Sequence, residues 1–454
     1  MLTKNSDIEL YIDGMTADGS GVGHYDGQAV FVRNTAIGDS VNVHIIKAKK
    51  TYAVGKLINI VTASPDRVQS DCPVSETCGG CCYRHISYEA ELKIKQQKVA
   101  DAFSRIGHLD VKLDRIIGSK INGYRNKAQY PVGIGKPEPV IGFYAFNSHR
   151  IIPCRHCLLQ PAMFEDILNI IDKWIRKNRI TIFDEETGTG LLRHVYIRQA
   201  HATGEIMVCL VINGDSIPKC NELVNALLTG SDAIKTVLLN INKENTNVIL
   251  GDKCKMLYGD GYIEDVLLGK RFRISPLSFY QVNSEQCEKL YSKAAEFANL
   301  TGDEFVLDLY CGAGTIGLTM ADRIRKLMGV EIIPQAVEDA KYNASLNGIS
   351  NAEFFCGDAA AVAEKLKNDG IRPDVIFIDP PRKGMDDGLV ETVVSMAPEK
   401  LVYISCDPAT LARDAALFAE NGYVVKKAVP VDLFPRTAHV EACCLLVKTS
   451  DSAV

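Results

Sequence analysis

The fold is indicated by the stretch Leu401-Val402-Tyr403-Ile404-Ser405-Cys406-Asp407-Pro408-Ala409-Thr410. An apolar strand over 401–405 is followed at once by a predicted helix over 409–420. In an open parallel sheet, the carboxyl ends of the strands are where ligands and reactive groups are placed. Cys406 lies at such an end, where the positive end of a helix dipole favours a thiolate. We therefore predict a strand–helix sheet in which Cys406 is a nucleophile.

The same alternation of strands and amphipathic helices extends from about residue 276 to the C-terminus. Strands are predicted at 304–309, 326–331, 352–356, 374–378 and 401–405, and two more strands close the chain. Strands that alternate with helices are typical of a doubly wound, parallel α/β sheet. We assign this catalytic domain to residues 273–454.

The composition sets the broad class of protein. A chain of 454 residues is long enough for about three domains, and 46% hydrophobic with 24% charged residues is ordinary for a soluble globular protein. There is no apolar run of about 18 residues and no signal-peptide core, so we expect a cytoplasmic protein. The net charge of −5 argues against a surface covered in phosphate contacts, although a local basic face stays possible.

Residues 1–62 contain about five short, closely spaced strands. This pattern is typical of a small β-barrel of the oligonucleotide-binding kind. Four lysines lie on its later strands, and they are either solvated or in contact with phosphates: Lys47, Lys49, Lys50 and Lys56.

Cysteines are concentrated between residues 72 and 82, where Cys72, Cys78 and Cys81 have the spacing C-x5-C-x2-C. A second pair, Cys154 and Cys157, follows later. Three close thiolates and a distant one favour a cubane iron–sulfur cluster, which we interpret as structural. A four-cysteine zinc site and a metal-free turn are the alternatives. Cys82 and Cys154 are spare thiols that could replace a neighbouring ligand.

The middle region, assigned to residues 63–272, is predicted to be mainly antiparallel with helices to one side. Two segments, 123–129 and 192–198, combine cations and aromatic side chains on predicted strands. Such a combination suits phosphate contact and base stacking, and ordinary sheet surface explains it equally well.

A glycine-rich turn at 308–317 follows a strand and opens a helix, with Gly312 and Gly314 giving a ligand access to the backbone. Glu331 ends the next strand and is placed to accept hydrogen bonds from a ribose diol. A dinucleotide fits this pattern, but the later motifs favour S-adenosylmethionine. Asp358 either binds the adenine amine or caps a helix.

Two further motifs follow. Asp379-Pro380-Pro381-Arg382 ends the fourth strand, and its prolines stiffen the turn that presents Asp379. Amino-group methyltransferases have an aromatic residue after a related Pro-Pro turn, where this chain has Arg382. Glu441 begins the last apolar strand, either as an edge-strand charge or as a catalytic base.

Together these motifs resemble the RNA uracil-5-methyltransferase family, and in particular its iron–sulfur, TRAM-domain branch that methylates 23S ribosomal RNA. The resemblance covers essentially the whole chain. Its most specific segments are 279–283 (Phe-Tyr-Gln-Val-Asn), 379–382, 405–410 and 439–441. One position departs from the family pattern: Asp407 stands where Asn is usual, which bears on the geometry of the turn rather than on the thiol.

The resemblance implies a fold and a set of roles. A TRAM barrel and a central α+β iron–sulfur domain would precede a Rossmann-like class I methyltransferase domain. Cys406 would be the nucleophile and Glu441 the base, while the donor-binding or site-lining residues would be Gln281, Tyr310, Gly312, Gly314, Glu331 and Asp379. A [4Fe-4S] cluster would be bound by Cys72, Cys78, Cys81 and Cys157.

The implied reaction is methylation of carbon 5 of uridine through a Cys406 adduct at carbon 6, with S-adenosylmethionine as donor. We predict a monomer that acts on 23S ribosomal RNA, without a membrane or DNA partner. Three alternatives stay open: the same chemistry on the T-loop of transfer RNA, a non-catalytic RNA-binding assembly factor, and an iron–sulfur redox protein.

Overall fold

The structure is a computed structural model, and it describes residues 2–135 and 138–449. Three large sheets follow one another along the chain, and a two-stranded hairpin lies between the second and the third. Among the described residues, no helix is long and apolar enough to cross a membrane.

The first sheet has six strands where about five were predicted. They are β1 (Asp7–Tyr11), β2 (Gly14–Met15), β3 (Gly21–Tyr25), β4 (Gln28–Val32), β5 (Ser40–Ala48) and β6 (Tyr52–Thr62). Their order is β1-β5-β6-β4-β3-β2, and only the β4–β6 pair is parallel. Alternating side chains such as Leu10, Val30 and Val43 form the core of this sheet. The four lysines of its later strands are exposed, so phosphate contact stays a prediction for them.

A cysteine-containing loop connects this sheet to α1 (Tyr88–Asp101). Ser87 caps the helix, because its hydroxyl accepts a hydrogen bond from the Ala90 amide at 3.2 Å. A π-helical turn, Ala102–Ile106, follows directly. The charged segment after residue 88 is therefore helical.

The central sheet has seven strands in the order β13-β12-β11-β10-β7-β8-β9. They are β7 (Lys127–Gly133), β8 (Val140–Tyr144), β9 (Ile151–Pro153), β10 (Leu192–Gln199), β11 (Ile206–Ile212), β12 (Ile234–Ile241) and β13 (Lys253–Tyr258). Only β11 and β12 pair in parallel. The helices α2 (Met163–Asn178) and α3 (Cys220–Gly230) contribute to a core on one face of this sheet. The mainly antiparallel prediction is confirmed.

The other face of the central sheet is also covered. Tyr196 and Met207 share a core with the hairpin β14 (Ile263–Leu267) and β15 (Lys270–Ile274) and with the C-terminal sheet. The basic residues of β10 are consequently internal: Arg193 is 6% and Arg198 1% exposed. Both interpretations of segment 192–198, as an RNA-binding surface and as ordinary sheet surface, were wrong, because tertiary packing covers both faces of the strand.

The C-terminal sheet has the order β18-β17-β16-β19-β20-β22-β21. Its strands are β16 (Phe305–Leu309), β17 (Lys326–Glu331), β18 (Ala352–Cys356), β19 (Val375–Ile378), β20 (Lys400–Ser405), β21 (Tyr423–Val431) and β22 (Glu441–Lys448). The first five are parallel, and β21 and β22 run antiparallel to their neighbours. The helices are α4 (Ser284–Ala298), α5 (Thr315–Met320), α6 (Pro334–Leu346), α7 (Ala359–Asn368), α8 (Asp387–Met396) and α9 (Pro408–Glu420).

This is the predicted doubly wound sheet, and each of its five predicted parallel strands begins within one residue of the expected position. The carboxyl ends of β16, β17, β19 and β20 lie along one edge. The predicted domain boundaries, after residues 62 and 272, stay predictions.

Candidate active site

Cys406 lies on the turn between β20 and α9. The Asp407 side chain caps α9, because its Oδ1 accepts a hydrogen bond from the Ala409 amide at 2.9 Å. The Ser405 hydroxyl also accepts from the Asp407 amide at 3.1 Å. An aspartate at this position thus performs the capping that an asparagine performs equally well. The turn is well held and presents a half-buried thiol.

The thiol is in a less favourable electrostatic setting than the sequence indicated. Burial, together with the charges of Glu441 and Asp379, raises the pKa of Cys406 to about 11. Arg382 acts in the opposite direction, through its charge and a hydrogen bond to the thiol. We expected the helix N-terminus to favour the thiolate. In the structure burial dominates, and Arg382 is the group that favours ionisation.

Glu441 is the first residue of β22 and is 3% exposed. Ser405 pairs with Ala442 in the antiparallel β20–β22 ladder. Extending that register by one residue sets Cys406 opposite Glu441. Burial raises the pKa of Glu441 to about 8, with a further contribution from Asp379. A carboxyl group with this pKa exchanges a proton near neutral pH, as a general base requires.

Asp379 follows β19 and begins the Pro-Pro turn. Burial raises its pKa to about 7. Because its charge acts on both Cys406 and Glu441, the three groups occupy one site. The structure therefore brings together the residues predicted as nucleophile, base and lining group.

The glycine-rich turn forms the neighbouring half of the site. Tyr310, Gly312 and Gly314 all have a positive φ, of 66°, 55° and 82°. The Glu331 carboxylate at the end of β17 accepts hydrogen bonds from the Gly312 amide at 3.1 Å and the Ile333 amide at 2.8 Å. Glu331 thus orders the loop and lies beside the glycine turn, where a donor ribose was expected.

Some residues of this half were not singled out from the sequence. Ile332 and Ile333 directly follow Glu331 and are 58% and 55% exposed, as an apolar surface next to the ribose position. Asp308 is buried, its Oδ2 accepts from the Gly317 amide at 3.0 Å, and burial raises its pKa to about 8. For Ile332 and Ile333, the signal available in the sequence was a pair of apolar residues directly after the end of a predicted strand. Asp358 caps α7 through the Ala360 and Ala361 amides, which is the second of its two predicted roles.

Segment 279–283 directly precedes α4, and Asn283 is the N-cap of that helix. Asn126, from the central region, donates its side-chain amide to the Gln281 carbonyl at 2.9 Å, and its backbone amide to the Val282 carbonyl at 2.8 Å. Gln281 is 9% exposed, whereas Phe279 is 67% exposed. The segment is thus anchored on the central sheet, with one aromatic ring free at the surface.

The cysteine loop lies against the β8–β9 hairpin. Cys78 forms a β-bridge with Ala145, and the Gly79 amide donates to the Tyr144 carbonyl at 3.0 Å. The pKa of Cys81 is raised to about 12 by burial, and the thiolates of Cys157 and Cys78 contribute to the increase. The loop and the later cysteine pair are therefore neighbours.

The donor groups around these sulfurs fit anionic thiolates. The Gly80 amide donates to Cys78 Sγ at 3.4 Å, Arg84 bonds to Cys81, and the Leu159 amide bonds to Cys157. Hydrogen bonds to sulfur of this kind tune iron–sulfur clusters. Within residues 2–135 and 138–449, however, no three Cys, His, Asp or Glu side chains are close enough to hold one metal ion. This arrangement lends no support to the four-cysteine zinc alternative, and a cubane cluster would differ in that each thiolate binds a separate iron atom.

Comparison with known proteins agrees with this architecture. A family described as tRNA (Uracil-5-)-methyltransferase matches residues 231–449, and the TRAM domain matches residues 2–58. An uncharacterized RNA methyltransferase of Clostridium tetani is 44% identical over 99% of this chain and 98% of its own. Another from Halalkalibacterium halodurans is 44% identical over 98% of both chains.

A solved structure is similar over nearly the whole length. It is the Pyrococcus abyssi tRNA (uracil-54, C5)-methyltransferase in complex with S-adenosyl-L-homocysteine, with a TM-score of 0.79 and 28% identity. The likeness covers 97% of this chain and 99% of that one. The class I methyltransferase fold predicted for the C-terminal sheet is confirmed by this likeness.

Proposed function

The chain belongs to the TRAM-domain family of RNA uracil-5-methyltransferases, and from that premise we propose that it methylates carbon 5 of a uridine through a covalent Cys406 adduct. The observation that carries this proposal is the last pair of the β20–β22 ladder, Ser405 with Ala442, because these two residues directly adjoin Cys406 and Glu441. A thiol at the end of β20 and a carboxyl with a pKa of about 8 at the start of the neighbouring strand, whose charge acts on that thiol, suit one reaction centre.

The roles follow from the chemistry of uracil, whose carbon 5 is a poor nucleophile. Addition of the Cys406 thiolate to carbon 6 moves the electrons of the 5,6 double bond into an enolate, and Arg382 stabilises the thiolate beforehand. Carbon 5 then accepts the methyl group, which S-adenosylmethionine supplies when bound. Glu441 removes the proton from carbon 5. The freed electron pair restores the double bond, and the Cys406 sulfur leaves.

Binding of the methyl donor is assigned to the glycine-rich half of the site. Glu331 would accept hydrogen bonds from the ribose, Ile332 and Ile333 would contact the adenine, and the Gly312–Gly314 backbone would approach the amino-acid part. Gln281, Tyr310 and Asp379 complete this assignment. The positive φ angles of the loop support it, since they let a ligand approach the backbone closely.

The substrate is an RNA, and the proposed molecule is 23S ribosomal RNA. The TRAM domain and the cysteine loop were the reasons for this choice. A specific observation favours the second candidate, transfer RNA: the Pyrococcus abyssi transfer-RNA enzyme aligns over 97% of this chain with a TM-score of 0.79.

We also propose that Cys72, Cys78, Cys81 and Cys157 bind a [4Fe-4S] cluster. The hydrogen bonds to the sulfurs support it. Protein purified without oxygen should contain iron and sulfide in equal amounts. Cys81→Ser should lose both, whereas Cys356→Ser, on an exposed strand end, should retain them. Retention of full iron content by Cys81→Ser would contradict the assignment.

Nucleoside analysis tests the reaction and the substrate together. Unmodified 23S ribosomal RNA and unmodified transfer RNA are incubated separately with the protein and S-adenosylmethionine. New 5-methyluridine in ribosomal RNA alone supports the full proposal. Its appearance in transfer RNA alone keeps the mechanism and replaces the substrate. Its absence from both, with donor and RNA shown to bind, would favour a non-catalytic RNA-binding role.

A further inference from the structure

A buried network of charges joins α1 to the turn that precedes Glu441. The Lys95 ammonium donates to Glu91 Oε1 and Asp432 Oδ1, both at 2.7 Å, and to the Phe434 carbonyl at 3.1 Å. Lys95, Glu91 and Asp432 are fully buried. The network thus spans from the helix after the cysteine loop to residues 432–440, which we name the base turn.

Arg436 connects the base turn to two other segments. Its backbone amide donates to Glu91 Oε1 at 2.7 Å, and its guanidinium donates to the Ile86 carbonyl at 3.0 Å and approaches Glu91 Oε2 at 3.4 Å. Its carbonyl accepts from the Cys82 amide at 2.9 Å. Arg436 is 7% exposed, and its φ is 69°, a strained value for a residue other than glycine.

Other groups hold the same turn from further directions. The Tyr124 hydroxyl donates to the Pro435 carbonyl at 2.9 Å, and the Asn283 side chain donates to the Leu433 carbonyl at 3.1 Å. Lys98 donates to the Ala438 carbonyl at 3.0 Å. The backbone of the base turn is therefore fixed by contacts from four separate parts of the chain.

The charges within this network balance, with two cations against two carboxylates. Buried ion pairs contribute little net stability, since desolvation offsets their attraction, but they require a defined geometry. The base turn ends at Val440, next to Glu441, so a rotation of the turn would displace the carboxyl group of that residue. A charge network that adds little net stability but fixes this backbone is best explained as a device that positions the Glu441 carboxyl group.

We infer that Arg436 is a positioning residue for removal of the carbon 5 proton: it holds the base turn, and through it Glu441, in place. Arg436 itself touches neither substrate nor donor in this inference, which rests on the proposed function. Its effect falls mainly on the step after thiol addition and methyl transfer, because Arg436 holds the turn next to Glu441, whereas the turn that carries Cys406 is held separately by Ser405 and Asp407.

Two RNA substrates separate these steps. With 5-fluorouridine at the target, carbon 5 carries no proton to remove, so the methylated adduct accumulates on Cys406. With uridine, Glu441 must act before product is released. Arg436→Met should form the fluorouridine adduct within twofold of the unaltered protein, yet release 5-methyluridine at least tenfold more slowly and retain a protein–RNA adduct. Arg436→Lys should release product at an intermediate rate.

Arg193→Met is the matched control, because Arg193 is also a buried arginine that donates to backbone carbonyls, remote from the base turn. It should change neither rate. Equal slowing of both steps in Arg436→Met, or no slowing of release, would overturn the inference. If Arg436→Met is insoluble, Arg436→Lys alone is compared with the unaltered protein. Release of 5-methyluridine by Arg436→Lys at the unaltered rate would then overturn the inference. Failure of the unaltered protein to form any adduct would instead count against the proposed function.

Discussion

At the scale of single residues, the site has a thiol surrounded by groups that oppose and favour its charge. Two carboxyl groups, Glu441 and Asp379, raise the pKa of Cys406, but their own values of about 8 and about 7 leave them substantially protonated at neutral pH. Their repulsion of a thiolate is then reduced. The proposed base must lose this proton before it can act, so the protonation of Glu441 has opposite effects on the first and last steps.

The first prediction concerns pH. Below a pKa of about 8 Glu441 carries a proton and cannot accept another, so breakdown of the RNA adduct should speed up as pH rises from 6.5 to 9. Quenched time courses of adduct decay would measure this. Glu441→Gln should slow decay by a factor of about 100 or more and remove the dependence near pH 8. A decay rate independent of pH in the unaltered protein would exclude Glu441 as the base.

The second prediction concerns Arg382, which lowers the pKa of the Cys406 thiol by charge and hydrogen bonding. Arg382→Met should raise that pKa and slow alkylation of Cys406 by iodoacetamide about tenfold at pH 8, since one pKa unit is about 1.4 kcal/mol. Reaction at Cys406 is followed by peptide mass spectrometry. Arg372→Met, at an exposed arginine outside the site, is the control. Unchanged alkylation in Arg382→Met would contradict this role.

The sequence was a better guide to which residues lie in the candidate site than to how their pKa values shift. Cys406 and Glu441 could be proposed as site residues because each stands at a strand end within a specific motif. The direction of the Cys406 pKa shift was missed, since it depends on burial and on charges from β19 and β22, which are distant along the chain. Asp358 shows the same limit: only the structure selects the cap of α7 from its two predicted roles.

At the scale of elements, the glycine-rich turn at 308–317 depends on backbone angles that few residues adopt. Gly314 has a φ of 82°, and a Cβ there would be 2.8 Å from Leu318 Cδ1. The third prediction is that Gly314→Ala destabilises the fold by about 1–3 kcal/mol and weakens binding of S-adenosylhomocysteine at least tenfold. Urea unfolding and titration calorimetry would measure the two effects.

Gly370 supplies the matched control for this prediction. Its φ is 80°, but an added Cβ would meet nothing within 4 Å. Gly370→Ala should therefore show the backbone cost alone, with donor binding unchanged. Equal loss of affinity in both variants would mean that donor binding weakens through general destabilisation of the fold and not through a change in the glycine-rich turn.

The elements themselves were predictable where the chain alternates between strand and helix. The five parallel strands of the C-terminal sheet were identified because each is a short apolar run followed by an amphipathic helix. Strand β10 was misinterpreted, since its cations suggested an outer face. In the structure Arg198 donates to the Ser278 carbonyl at 3.0 Å. The β14–β15 hairpin and the C-terminal sheet cover this face of the strand. A contact between domains leaves no local signal in the sequence.

At the scale of the whole molecule, the candidate site lies where the separate parts meet. Asn126 of the central region holds segment 279–283, and the cysteine loop holds the base turn through the Arg436 carbonyl. Lys98 of α1 donates both to the Ala438 carbonyl and to the Ala17 carbonyl of the first domain. The order of the sheets along the chain could be predicted from sequence, but these connections could not, because each joins residues that are far apart along the chain.

RNA binding is the property that the whole molecule must reconcile with a net charge of −5. Lys127 begins β7, and its strand partner is Arg198. Burial, together with the charges of Arg198 and Arg125, lowers the pKa of Lys127 to about 7. Burial lowers the pKa of the His439 imidazole, and the charges of Arg382 and Arg125 also contribute to the decrease. Positive groups therefore converge near the candidate site. An RNA phosphate would relieve the repulsion among them.

The fourth prediction follows from this local excess of positive charge. At pH 8 a nearby phosphate should raise the pKa of Lys127 and cause proton uptake, which appears as a buffer-dependent heat in titration calorimetry. Lys127→Met should abolish that uptake and make the slope of log affinity against log salt shallower by about 0.7–0.9, the effect of one lost phosphate contact. Lys426→Met, at an exposed lysine on β21, should leave both unchanged. Equal proton uptake in the unaltered protein and Lys127→Met would show that RNA binds elsewhere, and the exposed lysines of the first sheet would then be the next positions to replace.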